Sequence, residues 1–162
     1  MGTEELTNRL DEAGVAYELL GHAHTESAAA EARTLGVVLE EVGKTLVLAT
    51  PEGYVRAVVP ASERLDLQKV RERLGDGKRV HLASEEELAR DYPEFELGAV
   101  PPLGGSRAER VLVDRRLAER ESIVVEAGSH EQSIRVRTAD LLRLTDADVA
   151  DLCEEEERPH AG

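Results

Sequence analysis

A chain of 162 residues with 41% apolar and 33% charged side chains is long enough for one globular domain and too apolar to stay disordered. Its formal charge of −14 excludes the broad basic stripe that grips nucleic acid, so DNA is not an expected partner. No apolar run is long enough to span a membrane, the first ten residues lack a signal-peptide pattern, and Cys153 stands alone, so a cytoplasmic protein without disulfides is expected.

Four aromatic residues, Tyr17, Tyr54, Tyr92 and Phe95, leave the core to Leu, Val, Ile and Ala. Thr3 is placed to cap a helix over 4–13, with Leu6, Leu10 and Ala13 on one face and Gly14 as its stop. Residues 15–20 read as a short strand. Thr25 is a second cap, for an Ala-rich helix over 26–35 that ends at Gly36. The apolar stretches 44–50 and 54–59, joined by Pro51-Glu52-Gly53, predict a β-hairpin. Asp66 caps a helix over 67–74 closed by Gly75, and 79–82 is a brief strand. Ser84 and Glu87 form a capping box for a helix to about Arg90.

From Asp91 to Arg107 the density of proline and glycine forbids regular structure. Strands are expected at 110–113, 122–127 and 133–137, with a turn over 117–121 and a hairpin loop over 128–132. Thr138 and Thr145 are read as caps of two short helices, and Asp114 as a cap or turn residue. About seven strands and five helices, several joined by short turns, predict a single α+β domain with a mixed, mostly antiparallel sheet surrounded by helices. The domain is read as 1–153, followed by an acidic solvated tail over 154–162. Residues 146–162 hold seven acids against Arg158.

Nucleotide-binding and nucleophile-elbow signatures are absent. His22, His24, His81, His130 and His160 do not form a zinc pattern, so no metal site is expected. Cys153 reads as a packing residue. Three segments remain. Lys44 opens an apolar strand after Gly43, where a fixed cation could hold a phosphate or polarise a carbonyl, although a strand-end lysine is also an ordinary solvated residue. The 98–105 stretch can present bare N–H groups to a ligand, or serve as a plain surface connection. Gly128 and His130 sit in a hairpin turn, where His130 could donate a hydrogen bond or act as base. Arg64, Arg71, Arg73, Lys78 and Arg79 form either a local basic face or a solvated helix surface.

In order and spacing these pieces resemble the YbaK-like aminoacyl-tRNA deacylase family, the prolyl-tRNA editing domain. The resemblance runs from about Tyr17 to Leu144. It is carried by the segments 25–32, 43–48, 59–67, 82–88 and 98–104, and by Glu126-Ala-Gly-Ser-His130 with Ser133-Ile134. It implies a mixed, partly barrel-like sheet and trans hydrolysis of the ester of a mischarged tRNA, with no metal, cofactor or covalent intermediate. It places Lys44 on the family's key lysine, Gly98, Pro102, Leu103 and Gly104 on the pocket loop, and Gly128 on the opposite wall. His130 follows a subgroup pattern. Thr45 stands where relatives that remove alanine from proline tRNA tend to carry Asn, which points to another small amino acid. The implied partners are the 3′ end of aminoacyl-tRNA and a tRNA synthetase supplying the RNA grip that this acidic chain lacks. A non-catalytic module that binds aminoacyl-adenosine ends, and a hydrolase of other small esters or thioesters, stay open as alternatives.

Overall fold

The computed structural model of the chain describes residues 2–22, 28–75, 79–105 and 109–155. In chain order the elements are α1 (Gly2–Glu12), β1 (Tyr17–Gly21), α2 (Ala28–Leu35), a 3-10 turn (Leu39–Glu41), β2 (Val42–Thr50), β3 (Gly53–Pro60), α3 (Leu67–Leu74), β4 (His81–Leu82), α4 (Glu85–Asp91), β5 (Arg110–Asp114), α5 (Arg115–Ala118), β6 (Ser122–Ser129), β7 (Gln132–Arg137), α6 (Thr138–Thr145) and β8 (Asp148–Ala150). All eight strands join one sheet, in the order β1-β7-β6-β2-β3-β5-β8, with β4 beside β2. The fold is the single α+β domain expected. The sheet is mixed and mostly antiparallel, as expected: four pairings run antiparallel, while β2–β6, β3–β5 and β5–β8 run parallel. It curls but does not close, since β1 and β8 remain as edges.

Local signals place most elements. Asp66 accepts from the amides of Gln68 and Lys69, and Gly75 ends α3 at φ +78°. Ser84 and Glu87 form both halves of the capping box on α4. Gly53, at φ +125°, turns the β2–β3 hairpin. Five expectations change. The cap position of α6 is Arg137, with Thr138 its first helical residue and no side-chain cap bond. Thr3 lies inside α1, which starts at Gly2, and Ala13 is exposed beyond its end. Residues 115–118 form a helical turn capped by Asp114. Thr145 ends α6 by donating to the Leu141 carbonyl (2.8 Å), and strand β8 follows instead of a second helix. The Thr25 cap lies outside the described residues.

Strand alternation gives the sheet two faces. One carries Val58, Val111, Val113, Ile123, Val125, Ile134 and Val136 and is covered by Leu6 and Leu10 of α1, Leu117 and Leu141. The other carries Leu48, Val55, Ala57, Val59 and Leu112 under Val70 of α3, with Leu152 and Cys153. The sequence cluster of basic residues on α3 is tied into the fold. Lys69 donates to Asp151 (2.9 Å), Arg73 Nε to Asp148 (2.9 Å), and Arg71 to the Val80 carbonyl (3.0 Å). Of the expected basic cluster, Arg73 is thus paired with the acidic C-terminal segment, alongside the neighbouring Lys69.

Candidate active site

The site begins at a fork in the sheet. β3 pairs with β2 along one whole edge. The opposite edge is shared: β6 takes Val42 and Gly43, and β4 takes Leu48 and Ala49. Residues 44–46 lie in the gap between the two. A cavity of about 340 Å³ opens there, lined by Lys44, Thr45 and Leu46, by Leu82, Ala83 and Leu88, and by Leu97, Gly98 and Val100. Gly43 closes the base of the fork. A Cβ there would lie 3.1 Å from both Val125 and Val58, so only hydrogen lets β3 and β6 draw in at that point. One residue on, the exposed Lys44 stands at the mouth of the cavity. Thr45 lines its wall, and its buried hydroxyl oxygen has no hydrogen-bond partner.

The irregular 92–105 segment is held from below by a residue that pattern reasoning passed over. Arg56, in the middle of β3, is 2% exposed. Its guanidinium donates to the carbonyls of Pro101 (2.9 Å) and Gly104 (2.7 Å), lies 3.7 Å from Glu109, and packs against the rings of Tyr92 and Phe95. The planar fork of an arginine suits two carbonyls at once, where an ammonium would reach one. The signal was visible: a lone cation inside Tyr54-Val-Arg-Ala-Val-Val59 has no reason to be there unless it is paired.

The β6–β7 turn straps the outer side of the loop. The amide of Glu96 donates to the Gly128 carbonyl (3.0 Å), the amide of His130 donates to the Glu96 carboxylate (2.9 Å), and His130 Nε2 bonds the Leu97 carbonyl. Gly98 is needed on two counts. Its φ is +82°, and a Cβ would sit 3.4 Å from the His130 ring.

Lys44, Thr45 and Gly98 therefore meet at one cavity, with His130 locking the loop that carries Gly98. Gly128 lines a neighbouring cavity of about 560 Å³ with Leu19, Glu96 and Gln132. Pro102, Leu103 and Gly104 are buried, Leu103 in the core beside Leu6, so they support the loop from within.

A polar cluster lies next to Lys44, on the same face of the sheet. Glu31 of α2 is fully buried. It accepts from Ser133 (2.6 Å), whose oxygen lies 3.1 Å from His22 Nε2. Glu126 stands opposite Ser133 in the β6–β7 ladder. Burial first, and then the adjoining Glu31 carboxyl, push Glu126 up to about 9, against the pull of Lys44. Glu31 and Glu126 escaped the sequence reading because two acids among 34 look alike until the fold brings them together. Among the described residues no group of three or more His, Cys, Asp or Glu is placed to hold a metal ion. His24, half of the only histidine pair weighed for that role, lies outside them. No helix of the described residues is long and apolar enough to cross a membrane.

Comparison with known proteins gives consistent matches. The family described as the aminoacyl-tRNA editing domain matches residues 22–144. The chain is 27% identical over 146 residues to the multifunctional Ser/Thr-tRNA deacylase ProXp-y of Escherichia coli, covering 87% of this chain and 86% of that protein. It is 26% identical over 108 residues to a proline–tRNA ligase of Thermosipho melanesiensis, covering 67% of this chain and 19% of the ligase. A solved structure described as a candidate trans-editing enzyme for prolyl-tRNA synthetase superposes with a TM-score of 0.86 at 26% identity, covering 95% of this chain and 98% of that one.

Proposed function

The chain belongs to the aminoacyl-tRNA editing domain family, and from that premise we propose that it is a trans-acting deacylase. It hydrolyses the ester between a wrongly attached small amino acid and the 3′ end of a tRNA. The observation that carries this reading is the cavity at the fork of β2, where an ammonium and a glycine loop flank a space of small-acyl size.

An aminoacyl ester is already activated, so positioning and charge stabilisation can supply most of the catalysis. Water attacks the carbonyl carbon, the bond to the ribose oxygen breaks, and that oxygen leaves with a proton. Lys44 stabilises the negative charge that grows on the carbonyl oxygen, or holds the adjacent phosphate in place. The loop at Gly98, held by Arg56 below and His130 outside, forms the facing wall. Pro102, Leu103 and Gly104 fix that loop, and Gly128 anchors the turn beside it.

The Thr45 hydroxyl favours a substrate with a polar side chain. A hydroxyl or thiol of Ser, Thr or Cys that reaches this buried, unpaired oxygen gives it a partner, and alanine does not. The name of the Escherichia coli relative, a Ser/Thr-tRNA deacylase, supports the same direction. The editing domain occupies 1–153, since Cys153 is fully buried while Glu154 and Glu155 are exposed, and the acidic tail follows. The partners are the 3′ end of aminoacyl-tRNA and a synthetase.

Single-turnover deacylation of proline tRNA charged with Ser, Thr, Cys or Ala tests this reading. Cleavage of at least one polar member is expected, with alanine slowest. Lys44→Ala should lower the rate about 100-fold or more while the melting curve stays unchanged. Thr45→Val should narrow the preference for polar over alanyl ester by about tenfold. No cleavage of any member by folded protein would refute the assignment.

A further inference from the structure

We propose that Glu31 and Glu126 hold one proton between them and thereby withhold Glu126 as an ion-pair partner from Lys44, leaving that cation to the substrate. This rests on the reading of Lys44 given above. Both glutamates are positioning residues.

The geometry starts from register. β2 and β6 run parallel, with Val42 beside Val124 and Gly43 beside Val125. One step further, Lys44 and Glu126 are neighbours on adjacent strands and on one face, the opposite face from Gly43 and Val125. An ionised Glu126 would pair with Lys44 and cancel the charge that the ester needs.

Glu31 prevents this. It lies fully buried beneath, on α2. Its hydrogen bonds favour the charge on Glu31. His22 Nε2 approaches the Ser133 oxygen (3.1 Å), and the Ser133 hydroxyl donates to Glu31 Oε1 (2.6 Å). A carboxyl accepting in this way is served as an anion. The second oxygen of Glu31, Oε2, is buried with no partner. A proton on the adjoining Glu126 supplies that missing donor. Two abutting carboxyls do not both ionise, and the one that stays neutral is the one beside Lys44.

The charged groups facing Glu126 are Glu31 from α2, Glu96 from the 92–98 segment and Lys44 from β2, with Ser133 and His22 behind Glu31. Two of the three oppose its ionisation. Burial, the largest cause, together with these carboxyls raises it to about 9, which keeps the carboxyl neutral at pH 7.

Two readouts test the proposal. The first is carbon-13 NMR of glutamate side-chain carboxyls in the free protein. One carboxyl should titrate near 9. It should vanish in Glu126→Gln and move down by about one unit or more in Glu31→Gln. The second is the pH profile of single-turnover deacylation after subtraction of uncatalysed hydrolysis. The wild type should lose rate as pH rises through about 9. Glu126→Gln, isosteric with the neutral acid, should keep its rate at pH 7 within about threefold and abolish the loss near 9. Glu31→Gln, which keeps an acceptor for Ser133, should shift the loss to lower pH.

All glutamates titrating in the ordinary carboxylate range would overturn the proposal. So would a loss of about 100-fold in Glu126→Gln at pH 7, the signature of a direct proton donor. An unchanged rate in Lys44→Ala would instead overturn the functional reading on which the proposal rests, and the NMR result separates the two failures.

Discussion

Arg56 holds the shape of the candidate site although it does not itself line the cavity. Its guanidinium spans two carbonyls of the glycine-proline loop, and its charge is balanced by the nearly buried Glu109. Arg56→Ala strips both carbonyls of their donor and leaves Glu109 without its cation. Loss of one partner from a buried ion pair costs about 3–5 kcal/mol, so urea unfolding should show a fall of that size. Arg56→Lys keeps the charge but reaches only one carbonyl, so it should unfold near wild type yet deacylate more slowly, with Gly98 no longer fixed. Gly43 is the second such position. Gly43→Ala forces a methyl against Val125 and Val58 at 3.1 Å and should cost about 1–3 kcal/mol as β3 and β6 separate. The two kinds of residue differ in legibility. Lys44 and the 98–104 glycines stand out because a cation at a strand mouth and a proline-glycine loop are local features. Glu31 and Glu126 lie 95 residues apart in sequence, and nothing local distinguishes either from a surface acid.

Elements followed the same division. Caps and stops that act within four residues, such as Asp66, Ser84 with Glu87, and Gly75, could be read in advance because their partners are local. β8 could not. Asp148-Val-Ala150 has three residues, no alternation long enough to register, and a parallel partner in β5 more than thirty residues away. Its position is set by side chains rather than by strand propensity. Arg73 and Arg110 converge on Asp148, while Lys69, Arg115 and Arg116 converge on Asp151. Arg73 and then Arg110 hold the Asp148 carboxyl below its usual range, and Lys69 does the same for Asp151. Both folded values are depressed, so the stability they add is fully present above the unfolded carboxylate value near 3.9 and is lost as pH falls through the lower folded values. Amide exchange of β8 should therefore accelerate below about pH 4, before the β2–β3 hairpin does. In Asp148→Asn, fast exchange of β8 should already be present at pH 6. Equal acid sensitivity in wild type and variant would show that the ion pairs do not hold the strand.

At the scale of the whole molecule, a net charge of −14 sets the terms on which a polyanionic substrate can approach. Of the residues that looked in sequence like a basic face, Arg73 is spent on Asp148, as the neighbouring Lys69 is on Asp151, and Lys44 is the cation at the mouth of the cavity. A protein that contacts many phosphates releases many counterions, and its affinity falls steeply with salt, by a factor near 0.7–0.9 per neutralised phosphate in the logarithmic slope. On the proposed reading the contact is confined to the tip of the acceptor end, with one or two phosphates within reach of Lys44. The logarithm of kcat/KM for deacylation should accordingly fall with the logarithm of salt at a slope of about −1 to −2. The slope should approach zero in Lys44→Ala. Long-range repulsion between the acidic body and the tRNA works in the opposite sense, since added salt screens it, so the net slope should be shallowest at the lowest ionic strength. KM for free charged tRNA should be high, and a synthetase that holds the tRNA body should lower it without changing the rate at saturation, because the partner adds binding and no chemistry. Measuring kcat/KM from about 20 to 300 mM salt, with and without prolyl-tRNA synthetase, separates these contributions. A slope steeper than about −4 in the isolated protein would mean that a wide RNA footprint exists on a surface whose charge opposes it, and the acceptor-tip mode of recognition would have to be given up.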